Sequence, residues 1–123
     1  IGIDDLDDYA FLQKFIELNK SAGCSKFIIH ARRAWLKGLS PKENREIPEL
    51  KYDRVYTIKE EYPDLSIIIN GGINTLDEVK EQVSYTDGVM IGRGSYGRPW
   101  FLNQITKQVF LFFTQIILLK KFS

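Results

Sequence analysis

Cysteine, histidine and methionine each occur only once among the 123 residues. One cysteine forbids an internal disulfide, and with a single histidine it leaves no ligand cluster of the zinc type, so no metal site is expected. Such usage fits a reducing compartment. An excess of one charge is lacking too: 17 Lys and Arg face 16 Asp and Glu, a net of +1. No global field holds a polyanion, and any nucleic-acid role rests on a local patch. Long apolar runs are scarce. Val109–Leu119 (VFLFFTQIILL) is interrupted by Thr114 and Gln115 and falls short of the ~20 residues of a bilayer-spanning helix, so a buried helix is expected and no membrane partner. Neither a methionine nor a basic leader precedes Ile1, so the chain reads as truncated at its front. What remains, 44% hydrophobic and 27% charged, is the composition of a globular domain with one core.

The acidic run DDLDDY from Asp4 leads into Tyr9, Phe11, Leu12, Phe15, Ile16 and Leu18, spaced as on one face of a helix that ends near Lys20. Carboxylates favour the N-terminal turn of such a helix. After the break at Ser21-Ala22-Gly23, Lys26–His30 (KFIIH) reads as a short strand buried on both faces. A polar loop follows from about Ala31 to Leu50. Tyr52, Val55, Tyr56 and Ile58 mark a second helix, closed by Pro63 and Asp64, before a second buried strand at Leu65–Ile69 (LSIII). Thr75 caps a third helix, with Glu78 in the capping-box position and Leu76, Val79 and Val83 on its apolar face. Gly88–Ile91 (GVMI) is a third strand, and Ile1–Asp4 reads as the tail of an earlier one. Strands alternating with helices imply parallel pairing, right-handed crossovers and functional loops at the strand C-termini.

Those loops carry the chemistry. Asn70-Gly71-Gly72 lets the main chain approach an anion closely, because glycine adds no Cβ and readily takes positive φ. Gly92-Arg93-Gly94 offers the same with a guanidinium, followed by a helix expected to point its positive end at the anion. Either motif alone also suits a plain strand-to-helix turn. On successive strands they fit the phosphate site after the last strands of many (β/α)8 barrels, which favours part of a barrel over a doubly wound sheet. His30 stands at the C-terminal end of its strand, where it could donate to a ligand or serve as a rim histidine. Cys24 sits in the helix-to-strand turn, at the opposite end from these loops, which argues against a catalytic role. Between the strands, Arg32, Arg33, Lys37, Lys42 and Arg45 surround Trp35 with only Glu43 to offset them, as on a phosphate-backbone contact surface or a solvated basic loop. A loop of this length in a compact domain is uncommon unless it has a function.

The segments His30-Ala31-Arg32, Ala34–Pro48 (AWLKGLSPKENREIP), Ile69–Ile73 (INGGI) and Asp87–Arg93 (DGVMIGR), in this order and spacing, resemble the tRNA-dihydrouridine synthases. The long loop resembles their A subfamily, which acts on uridines 20 and 20a of the D-loop. The resemblance covers Ile1 to about Leu102, leaving 103–123 as an apolar helix or atypical tail. It implies the C-terminal strands and connecting helices of a TIM (β/α)8 barrel that binds FMN, takes its reducing equivalents from NADPH and reduces uridine to dihydrouridine in tRNA. It implies FMN contacts from His30, Asn70, Gly71, Gly72, Gly92 and Arg93, and tRNA contacts from Lys42, Arg45 and Arg32. The family's acid cysteine belongs to an earlier loop with no counterpart here, so no catalytic residue is assigned and the fragment alone is expected to be inactive. The setting implied is cytoplasmic, with an organelle as the alternative. The wording GSYGRPW after Arg93 is closer to other branches of the family than to the A subfamily. Two other readings stand beside this one: a different FMN-dependent barrel oxidoreductase acting on a small molecule, and a non-catalytic RNA-binding remnant.

Overall fold

The computed structural model describes residues 1–110, so the apolar segment expected to be a helix lies, from residue 111 onward, outside the described residues. In chain order the elements are β1 (Gly2–Ile3), α1 (Tyr9–Ser21), β2 (Lys26–His30), β3 (Arg33–Ala34), α2 (Pro41–Asn44), α3 (Tyr52–Glu61), β4 (Ser66–Asn70), α4 (Leu76–Tyr85), β5 (Gly88–Met90) and α5 (Pro99–Ile105), which runs into a π-helical turn at Thr106–Phe110. The alternation read from the sequence is present, and all three strand pairings are parallel: β1 with β3, β2 with β4, and β4 with β5. Among the described residues no helix is long and apolar enough to cross a membrane.

Local chemistry sets the helix ends. The amide of Phe11 donates to the Asp8 carboxylate at 2.6 Å, so α1 begins at Tyr9 and not within the acidic run. Asp7 has another task. Its carboxylate, only 6% exposed, lies 2.5 Å from Lys51 Nζ, 3.1 Å from Arg54 Nη1 and 3.6 Å from Arg33 Nη1, tying the segment after β1 to β3 and to the start of α3. Burial alone would raise the pKa of Asp7, but the Lys51 hydrogen bond and the three cations outweigh it and hold the carboxyl below its ordinary value. Thr75 and Glu78 form the expected capping box at the head of α4.

The core lies on one face of the sheet. Phe27 and Ile29 of β2 and Ile67 and Ile69 of β4 alternate inward against Leu12 and Ile16 of α1, Val55 and Ile58 of α3, and Val79 of α4, all of them buried. Each such aliphatic side chain contributes roughly 1.5–3 kcal/mol relative to exposure. The register places Ile28 and His30 beside Ile68 and Asn70, and these beside Gly88 and Met90, on the other face. There Ile28 is 56% and Met90 47% exposed. The expectation that Lys26–His30 is buried on both faces is therefore corrected: it alternates, because the helices packed on the core cover one side alone.

Candidate functional site

Register brings the strand ends together. His30 pairs with Asn70, and Asn70 with Met90, so the loops after β2, β4 and β5 all open at the same end of the sheet. They enclose a cleft of about 570 Å³ lined by His30, Asn70, Gly71, Gly72, Gly92 and Arg93, with Arg45, Asn74 and Arg98 completing its wall. All six residues expected to hold a cofactor thus share one cavity. A second hollow of about 480 Å³, lined by Phe11, Leu12, Phe15 and Ile16 beside β1, is apolar and contains neither glycine loop.

The turn after β4 needs its glycines. Gly71 and Gly72 have φ of 116° and 68°, and a Cβ on Gly72 would stand 2.6 Å from Leu50 Cδ1. The Tyr52 hydroxyl donates to Gly71 O at 2.5 Å, and Asn70 Nδ2 donates to Met90 O at 2.8 Å, joining the ends of β4 and β5. After β5, a Cβ on Gly92 would meet nothing within 4 Å. Among the described residues the amides of Gly72, Gly92 and Arg93, which line the cleft, donate to no protein acceptor. The helix expected directly after this loop is corrected. Residues 92–98 form hydrogen-bonded turns, Ser95 N to Gly92 O and Tyr96 N to Arg93 O, and α5 starts only at Pro99.

His30 is set up as a donor. Its Nδ1 accepts the Arg32 amide at 3.2 Å, which leaves the proton of the neutral ring on Nε2. Burial, with the positive charges of Arg32 and Arg93, pushes its pKa below the ordinary histidine value of 6.5. Near neutral pH the ring is therefore uncharged, with one N–H to offer.

The long loop is not formless. It contains β3 and the short helix α2, whose Ser40–Glu43 capping box is complete. Asn44 brackets Trp35, accepting from its amide and donating to its carbonyl, both at 2.7 Å. Arg33 stacks over the Trp35 ring at 4.2 Å. Arg32 turns into the loop: Nη1 donates to Pro48 O at 2.5 Å and Glu46 O at 3.3 Å, while its buried Nε has no partner. Lys42 and Arg45 are exposed. Arg93 closes the arrangement, with Nη1 3.1 Å from Glu46 Oε1 and Nη2 donating to Arg45 O at 3.3 Å, so the basic loop docks over the glycine loops. Cys24 is exposed, just before β2 and at the other end of the strands.

Sequence reasoning missed Asn44, Glu46 and Arg98, the last of which donates to carbonyls in both glycine loops. The capping box Ser40-Pro41-Lys42-Glu43 was a readable signal for α2 and so for the placement of Asn44. For Arg98 nothing local marks the role.

Fold and cleft together define an α/β protein with a cleft of glycine loops and arginines at the C-terminal ends of parallel strands. The chain belongs to the dihydrouridine synthase (Dus) family, whose model matches residues 1–115, past the Leu102 at which the wording alone ceases to resemble it. It is 56% identical over 110 residues to the tRNA-dihydrouridine(20/20a) synthase of Pasteurella multocida, covering 89% of this chain and 34% of that protein. It is also 56% identical over 105 residues to the enzyme of that name from Shewanella oneidensis, covering 85% and 31%, and 55% identical over 111 residues to the one from Salmonella typhimurium, covering 89% and 33%. The chain thus spans about a third of the length of these curated relatives.

Proposed function

We propose that this chain is the later part of a flavin-binding (β/α)8 barrel of a tRNA-dihydrouridine(20/20a) synthase, and that its cleft holds FMN. The observation that carries the reading is the convergence of His30, the Gly71–Gly72 turn and the Gly92–Arg93 turn on one cleft beneath a basic loop. The barrel is supported by helices packed on one face only of the parallel β2-β4-β5 sheet, since a doubly wound sheet carries helices on both faces.

The residues present suit a flavin phosphate. Unspent amides at Gly72, Gly92 and Arg93, with open space at Gly92 and the Arg93 guanidinium nearby, form a compact anion cradle. His30 offers its Nε2–H toward the flavin from the neighbouring strand end. The chemistry a bound FMN supplies is the passage of hydride from NADPH to the uracil ring. This chain's share is to hold and orient. Lys42 and Arg45 face the tRNA backbone from the exposed side of the loop, and Arg32 holds the loop from within through the Pro48 and Glu46 carbonyls. The proton for the ring comes from a cysteine outside these residues, since Cys24 stands at the far end of the strands. The whole protein works in the cytoplasm on this reading.

The test is turnover. The full-length protein carrying this chain, given FMN, NADPH and tRNA lacking dihydrouridine, is expected to reduce U20 and U20a, scored by loss of uridine at each position. Reduction of other positions only, or none with any tRNA, would refute the assignment. The 123 residues alone are expected to give none.

A further inference from the structure

Arg98 falls in the GSYGRPW segment but has no role readable from the sequence, yet it stands where the two glycine loops meet. Its Nη2 donates to Asn74 O at 3.0 Å and to Gly94 O at 2.6 Å, and its Nε donates to the same Gly94 carbonyl at 3.0 Å. Asn74 lies in the loop after β4 and Gly94 in the loop after β5, so one guanidinium fastens both. Asn74 extends the connection by donating its Nδ2 to Gly72 O at 3.2 Å. The two loops already touch: a Cβ on Gly94 would stand 2.8 Å from both Ile73 O and Asn74 Oδ1. The guanidinium is steadied from below by the buried Phe101 ring, 4.8 Å away. Among the described residues Arg98 has no carboxylate partner, so its donors are spent on backbone carbonyls in the wall of the cleft.

We infer that Arg98 is a positioning residue that sets the separation of the two loops, so that the amides of Gly72, Gly92 and Arg93 converge on a single phosphate. This rests on the phosphate-site reading above. The physical reason is the shape of the group: a planar fork of fixed N–H directions can hold carbonyls of two segments in one geometry. An ammonium on a flexible stem carries the same charge without that geometry. The consequence is selective. The flavin ring is met from His30 and the strand ends, whereas the phosphate alone depends on how far apart the loops stand.

The experiment compares FMN with riboflavin, which shares the ring and lacks the phosphate, each titrated into the full-length protein as wild type, Arg98→Met, Arg98→Lys and Arg93→Met. Wild type is expected to prefer FMN. Arg98→Met, which keeps an unbranched stem over Phe101 without donors, is expected to lower FMN affinity about tenfold and leave riboflavin affinity within about twofold. Arg98→Lys is expected to behave like the Met variant. If the lysine variant keeps the wild-type preference, charge and not the fork is what matters, and the inference fails. Equal loss of both flavins in Arg98→Met would mark general scaffolding and also overturn it. Should Arg93→Met lose the preference while Arg98→Met keeps it, the phosphate site stands and the role of Arg98 falls. A wild type that binds both flavins equally would remove the phosphate site itself, and this inference with it.

Discussion

Replacing Gly72 with alanine isolates the physical demand at the turn after β4, because the structure supplies two separate reasons for glycine there. The residue sits at φ 68°, where a Cβ costs roughly 1 kcal/mol against its own backbone. The added methyl would also stand 2.6 Å from Leu50 Cδ1, a crowding that costs about 1–3 kcal/mol in a packed setting. Together Gly72→Ala is expected to destabilise the full-length protein by about 2–4 kcal/mol. Leu50→Ala removes the closest opposing methyl and leaves the Tyr52 hydroxyl at 3.2 Å as the nearest neighbour, so in that background the same substitution should cost little more than the backbone part, about 1 kcal/mol. The difference is a coupling of about 1–3 kcal/mol, read from urea midpoints of the four proteins in a double-mutant cycle. A Gly72→Ala protein as stable as wild type would refute the left-handed turn. A cost that persists in full when Leu50 is alanine would show that this leucine does not press on the turn.

The Lys42→Ala/Arg45→Ala double variant is expected to weaken tRNA binding and to flatten the slope of log affinity against log salt by about 1.5, since each phosphate contact contributes roughly 0.7–0.9; an unchanged slope would place the RNA elsewhere. Asp7→Asn leaves Arg33, Lys51 and Arg54 around a neutral amide, and removing one partner of a buried ionic cluster costs about 3–5 kcal/mol. Because the Asp7 pKa is lowered in the folded protein from its ordinary value of 3.8, the stability it contributes is complete above that pH and is lost as pH falls below it. The gap between wild type and Asp7→Asn should therefore narrow below pH 3.8, and a gap constant through acid would contradict the ion cluster. The 123-residue chain alone should self-associate in light scattering where the full-length protein does not, owing to Ile28 at 56% and Met90 at 47% exposed; a monodisperse monomer would show that the open sheet face needs no cover.

What was legible in the sequence followed from rules that act over a few residues. The three βα steps show because β-branched runs end at glycine and helices begin at capping residues, as at Ile69-Asn70-Gly71 and Thr75–Glu78. The glycine loops show for the same reason: Gly71 and Gly72 stand where positive φ and close neighbours demand glycine, and the shared ends of β4 and β5 follow from parallel pairing. The inside of the long loop was hidden. Asn44 and Arg32 act through bonds to carbonyls and amides that lie nine to sixteen residues away, and no periodicity encodes such partners. Asp7 misled for a related reason. An acidic run before an apolar stripe suggests a dipole partner, but Asp7 is claimed by three cations from residues 33, 51 and 54.

The one-sided burial of β2 in this chain carries the most weight for architecture. KFIIH is apolar at three successive positions, and composition alone reads that as burial on both faces. A strand nevertheless has two faces whatever its composition, and here the helices claim Phe27 and Ile29 while Ile28 shares its face with His30, Asn70 and Met90. An isoleucine on the same side as the strand ends that line the cleft makes sense where that side is enclosed further down. A closed barrel meets both demands at once: its lower interior is packed with aliphatic side chains, and its upper rim opens to the ligand. Ile28 below and His30 above are separated by one pleat of the same strand, so the residue that appears misplaced in this chain and the residue that faces the cleft are consequences of a single alternation.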